Sequence, residues 1–299
     1  MKAREFQALA RLDLGTRALR AGRPGLRPWP MWTLALLLAT LAGCSALSLA
    51  YMNAPTLAML RIDAALDLPE LQQEQLADAA TAVHAWHRRQ PRRELAAMLR
   101  EARRRLAGPI DQADGEWILT AAQEHVRQVG ERLAIEFGDR MTRFSPGELA
   151  RISRRLDERR REFADEIGAG EPVLEREHRI ERIEEAIDDW LGSVSPRQRA
   201  LVLASPAVTG FDAGLWLDER ARRERRLLDA LAAADGGASL TLWFNDWRQG
   251  RPIDAAARMD AQRAEAIAMW VAVLNAADAG QREHLLDRLS DWIAVFDDE

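Results

Sequence analysis

The sequence predicts an all-α protein, an elongated bundle of antiparallel helical hairpins with about ten helices after a signal segment. Three observations predict it. From Pro55 onward, apolar residues recur at intervals of three and four rather than two, so each stripe runs along one helix face. The breaks between stripes carry helix-start chemistry. Ser145-Pro146-Gly147-Glu148 and Ser195-Pro196-Arg197-Gln198 each place a capping serine, a proline at the first helical position and a reciprocal Glu or Gln three residues on. Composition agrees: 18 glycines and 12 prolines in 299 residues are few for a β-rich chain, and 47% apolar content is enough for a buried core.

The first element, residues 1–43, reads as a cleaved signal peptide. An arginine-bearing stretch ends at Arg27, and an apolar run from Met31 to Ala42 follows, broken only by Thr33 and Thr40. It closes on Leu41-Ala42-Gly43-Cys44, which resembles the lipobox of bacterial lipoproteins. Cys44 is the one cysteine in the chain, and it stands where that motif needs it. The resemblance implies a diacylglyceryl group on the Cys44 thiol, cleavage before it and acylation of the new amine. Several acyl chains hold a bilayer stably where one does not. An uncleaved membrane-spanning helix over residues 31–52 is the alternative, and both place the body on the same side, because the basic flank stays cytoplasmic. Ser45 after the cysteine resembles an outer-membrane rather than an inner-membrane sorting pattern. A lone cysteine also excludes an internal disulfide framework and every multi-cysteine metal centre.

Residues 44–234 are expected to form the helical-hairpin domain. Leu149, Ile152, Leu156, Phe163 and Ile167 make one stripe; Ile180, Ile183, Ile187, Trp190 and Val194 make another. The opposite faces are rich in arginine and glutamate. A helix that ends in a large apolar residue, a short polar turn and a newly capped helix recur as a loose unit at Phe144, Val194 and Leu274. Residues 235–253, with Gly236-Gly237 and Gly250-Arg251-Pro252, read as a loop or linker containing a short helix. Residues 254–299 read as a C-terminal two-helix extension, with Asp278-Ala279-Gly280-Gln281 as its second helix start and Leu285, Leu289, Trp292 and Phe296 as its stripe.

Charge narrows the function classes. The whole chain is at −5, but residues 1–43 hold seven basic and two acidic groups, which leaves the remainder at −10. A body of that sign repels phosphate backbones, so no nucleic-acid partner is expected. The many paired carboxylates, such as Glu184/Glu185 and Asp188/Asp189, lie on solvated faces, whereas acid–base catalysis needs a desolvated pair. No phosphate-binding glycine loop, nucleophile elbow or metalloprotease helix occurs. His84 and His87, three apart on one helix, share a face without an acidic residue one turn on, so no metal or cofactor is expected. The favoured reading has both imidazoles bonding carbonyls of the last helical turn. His125, His178 and His284 read as isolated structural residues. Two places stand out as binding surfaces: Trp86 with His87, and Trp243 with Trp247, where three aromatics in five residues would form an exposed anchor patch. The remaining body tryptophans are expected to fill seams between helices.

Several segments line up with a known family. Cys44-Ser45, Leu49-Ala50-Tyr51-Met52-Asn53-Ala54, Asp63 and Leu66-Asp67-Leu68 resemble the mature N-terminus of a family of proteobacterial lipoproteins of unknown function. Trp86-His87-Arg88-Arg89 with Glu94-Leu95, and Phe211-Asp212 with Trp216-Leu217 and Arg220, resemble later segments of it. The resemblance runs from Cys44 to Leu231 and implies an all-helical, lipid-anchored protein without catalytic residues to carry over. The expectation is therefore a non-enzymatic binding or scaffold lipoprotein, tethered to the membrane through Cys44 with its body in the periplasm and holding a protein partner or envelope component. One alternative is a chaperone or foldase for exported proteins, since arginine-rich hairpins with such turns resemble membrane-tethered lipase foldases. The other is an envelope hydrolase, for which His87 with an acid from another helix is the one candidate pair.

Overall fold

The computed structural model describes residues 47–297 except 234, 236, 247 and 249. The signal segment, the lipobox residues Leu41, Ala42 and Gly43, the lipidation site Cys44, and Trp247 lie outside the described residues. Within them the chain is all-helical and forms a bundle, with thirteen helices and no strand. In order they are α1 (47–52), α2 (Ala54–Leu66), α3 (Glu70–His87), α4 (Pro91–Leu106) and α5 (Gln112–Gly138). Then come α6 (Pro146–Glu166), α7 (Pro172–Leu191), α8 (Pro196–Ala204), α9 (Pro206–Thr209), α10 (Ala213–Ala232), α11 (Ala238–Asn245), α12 (Ile253–Asn275) and α13 (Ala279–Asp297). The excess over about ten helices comes from short pieces such as α1 and the single turn α9. Among the described residues no helix is long and apolar enough to cross a membrane.

The helix boundaries follow local chemistry. Ser145 and Ser195 close the two expected capping boxes, with Glu148 and Gln198 reaching back. Asp278 and Gln281 exchange the same pair of bonds, at 2.9 and 3.2 Å. A fourth box, Asp111 with Asp114, starts α5. Each satisfies backbone N–H groups that the first helical turn leaves open. Gly192, at φ 76°, ends α7 in the left-handed conformation, and Asp67 does the same for α2 at φ 50°.

Helix α5 is the spine. Its 27 residues span about 40 Å. Along its C-terminal half it carries α3 and α11; along its N-terminal half it carries α12. Two glycines permit the α11 approach. A Cβ on Gly130 would overlap the Phe244 ring, and one on Gly237, already at φ 85°, would strike the backbone of Gly138. A first core gathers Leu76, Phe137, Ile152, Leu156, Leu231 and Leu240 from α3, α5, α6, α10 and α11. A second gathers Leu106, Ile187, Val202, Met269, Val273 and Leu285. The two C-terminal helices, α12 and α13, thus share a core with α7, α8 and the end of α4. A small third cluster, Ala96, Val295 and Phe296, receives Leu47 and Tyr51 from α1.

Candidate functional site

Between the first core and its flanking helices lies a cavity of about 610 Å³, within the range of roughly 300–1,000 Å³ typical of small-molecule sites. Helix α10 sets its polarity. Trp216, Glu219, Arg220, Arg223, Glu224, Leu227 and Leu231 all line it. Their spacing of three, one and four keeps them on one face of α10. Along that face the character changes from charged in the first turns to apolar in the last. From Glu219 to Leu231 the helix rises about 18 Å. Opposite stand Leu76 of α3, Leu133, Ala134 and Phe137 of α5, and Leu156 of α6. Leu68, Leu76, Ala134, Phe137, Leu231 and Leu240 are buried and form the apolar end. Trp216, 42% exposed, and the exposed Arg61 mark the mouth at the charged end.

The charged end is built from arginine pairs. Glu219 is buried and accepts from Arg222 and from Arg251, each at 2.6 Å. Burial alone would raise its pKa, but these two guanidiniums outweigh it and hold the carboxyl down at about 2. Glu224, also buried, accepts from Arg160 at 2.6 Å and Arg220 at 2.9 Å. Both carboxylates are therefore spoken for by two cations each. Arg223 lines the same end with its guanidinium 5.5 Å from the Trp243 ring centre. Burial lowers its pKa, partly offset by the Glu219 charge.

Trp243 forms part of this wall. Trp243 itself is not the exposed residue expected: it is half-buried, its indole N–H donates to the Arg223 carbonyl at 3.0 Å, and its ring meets Phe244 edge-on. The reason is tertiary. Docking α11 on α5 and α10 turns its aromatics inward.

A second constellation joins Tyr51, His87 and His125. His87 is 8% exposed. Its Nδ1 lies 2.8 Å from the Tyr51 hydroxyl, and its Nε2 lies 3.1 Å from Nε2 of His125. One imidazole donates and the other accepts, and the hydroxyl takes whichever role remains. Burial first, then the neighbouring His125, His84 and Arg92 charges, push the His87 pKa down to about 4. Burial likewise lowers His125, with Glu94 opposing. The expectation that His87 bonds its own helix end is corrected, because α1 and α5 bring it better partners. His125 is no isolated residue. Tyr51 and His87 stand in separate segments of the family resemblance and His125 in none, so nothing in the sequence announces their meeting. His84 packs edge-on against the same Tyr51 ring. Trp86 is half-buried, with the Arg132 guanidinium 5.9 Å from its ring centre, and does not line the cavity. Among the described residues no group of three or more His, Cys, Asp or Glu side chains is placed to hold a metal ion.

A protein-family model described as a family of unknown function (DUF6279) matches residues 64–242. That span contains most of the cavity's wall, including all of its α10 residues. No curated protein and no solved structure matches the chain.

Proposed function

The chain belongs to the DUF6279 family of unknown function, and from that premise we propose that it is a lipid-anchored, non-enzymatic binding protein of the cell envelope, whose helical body holds an apolar ligand in the α10-lined cavity. The cavity carries the reading. A void of about 610 Å³, lined by apolar side chains except at its charged end, forgoes packing contacts that a filled core would make. A ligand that fills it restores them. Anchoring is the second part of the proposal. It rests on Leu41-Ala42-Gly43-Cys44 after an apolar run and a basic flank. The body then faces the periplasm, with Ser45 favouring the outer membrane.

The test fills the cavity from within. Leu227→Trp places an indole in the void from a half-buried wall position. Binding of N-phenyl-1-naphthylamine, a neutral apolar fluorophore, should be saturable in the full-length protein and at least tenfold weaker in the variant. Equal binding by both proteins would reject the cavity as the site. The anchor is tested separately by metabolic labelling with a lipid precursor, which Cys44→Ala should abolish.

A further inference from the structure

We propose that the cavity's ligand is a long-chain fatty acid, with its carboxylate among Arg61, Arg220 and Arg223 and its tail running along α10 toward Leu231 and Leu240. The inference rests on the reading of the cavity as a binding site and adds the chemistry of its occupant.

Three observations lead there. The first is shape matched to polarity. The lining face of α10 passes from Glu219, Arg220, Arg223 and Glu224 to Leu227 and Leu231, so charge and apolarity separate along one axis of about 18 Å. A molecule that matches both ends is an amphiphile with its polar group at the Arg61–Trp216 mouth. A uniformly apolar ligand would leave the charged end in contact with hydrocarbon.

The second is the sign of the charge. Three arginines and two glutamates line the cavity. Each glutamate already accepts from two guanidiniums, Glu219 from Arg222 and Arg251, Glu224 from Arg160 and Arg220. Both carboxylates are thus charge-compensated, which disfavours a cationic head there. Arginine is also the side chain whose planar fork best matches a carboxylate. Burial disfavours the charged form of Arg223, Glu219 offsets part of that cost, and a further anion beside it offsets more.

The third is size. The apolar end is walled by buried Leu68, Leu76, Ala134, Phe137, Leu231 and Leu240. The cavity as a whole, about 610 Å³, lies within the range of roughly 300–1,000 Å³ that small-molecule ligands fill. Each methylene moved there from water contributes about 0.8 kcal/mol.

The test uses the full-length protein in lipid nanodiscs and a diazirine-bearing palmitic acid as the probe. Irradiation followed by peptide mass spectrometry locates the adducts, and unlabelled palmitate, hexadecanol or hexadecyltrimethylammonium competes. Adducts are expected on peptides carrying Leu133, Phe137 and Leu227. Palmitate should displace the probe at a concentration about tenfold below that needed for either competitor, the factor expected from a charge-assisted hydrogen bond. Arg223→Gln should erase that preference. Arg61→Gln, at an exposed position, should weaken it without threatening the fold. Equal displacement by all three competitors overturns the fatty-acid assignment and leaves a cavity that binds apolar chains. Preference for the quaternary ammonium overturns the charge argument outright. Absence of adducts on cavity peptides, with no N-phenyl-1-naphthylamine binding, overturns both this inference and the binding-protein reading beneath it.

Discussion

Tyr51, His87 and His125 set a single-residue test of how α1 is held. The Tyr51 hydroxyl is the partner of the buried His87 Nδ1 at 2.8 Å. Tyr51→Phe keeps the ring contacts with Phe296 and His84 and removes only that partner. The cost expected in urea denaturation is about 1–3 kcal/mol, the penalty of a buried polar atom left unsatisfied. The same cluster makes stability depend on pH. His87 titrates at about 4 in the folded chain against 6.5 ordinarily. Between those values the unfolded chain binds a proton that the folded one refuses. Stability therefore falls as pH drops from about 6.5 to about 4, by ~3 kcal/mol in full, and levels off below. Burial of His84 and His125 shifts them in the same direction. His87→Gln should flatten the stability profile between pH 6.5 and 5. An unchanged slope would show that the cluster titrates as if solvated.

At the scale of elements, two helix starts interlock. Gln198 closes the capping box of α8, and Gln281 closes that of α13. Their amides also bond each other, Gln198 Nε2 to Gln281 Oε1 at 3.2 Å and Gln281 Nε2 to Gln198 Oε1 at 3.0 Å. Gln281 Nε2 reaches the Ser193 carbonyl as well, at 2.9 Å. Gln198 is fully buried and Gln281 nearly so. An ordinary cap residue contributes about 1 kcal/mol. Here each deletion also strands the opposite amide away from water, so Gln198→Ala and Gln281→Ala should each cost about 2–3 kcal/mol. The double variant should cost clearly less than the two singles together, as a double-mutant cycle in urea would measure. Additive losses would mean that the two boxes act independently. The sequence displays both boxes; that they face each other is a product of packing.

For the whole molecule, the closest helix pairings join distant parts of the chain. Helix α13 lies along α4, where Arg103 donates to Ser290 at 2.8 Å and Arg100 pairs with Asp297. It also contributes Leu285 and Leu289 to the second core, beside Ile187 and Leu191 of α7. Burial of Leu285, Leu289, Val295 and Phe296 is worth about 1.5–3 kcal/mol each, a sum comparable with the roughly 5–15 kcal/mol that holds a whole domain together. Truncation after Asp278 should therefore abolish cooperative unfolding, observed as a broad, featureless thermal transition by circular dichroism. A sharp transition in the truncated chain would make α13 a dispensable extension.

The helices are legible in the residue pattern. Stripes such as Ile180–Ile183–Ile187 and caps such as Ser145 and Ser195 are local, set by the 3.6-residue turn and by bonds within four residues. It also supplied the family resemblance and the charge balance. Tertiary structure alone decided what these helices enclose. The polar-to-apolar face of α10 is written in residues 216–231, but that it borders a void rather than a packed partner depends on α2, α5, α6 and α11. The meeting of Tyr51, His87 and His125 depends likewise on three helices that share no motif. Periodicity fixes which face of a helix avoids water; it carries no information about which other face it will find, because that choice is made by the fit of side chains from distant parts of the chain.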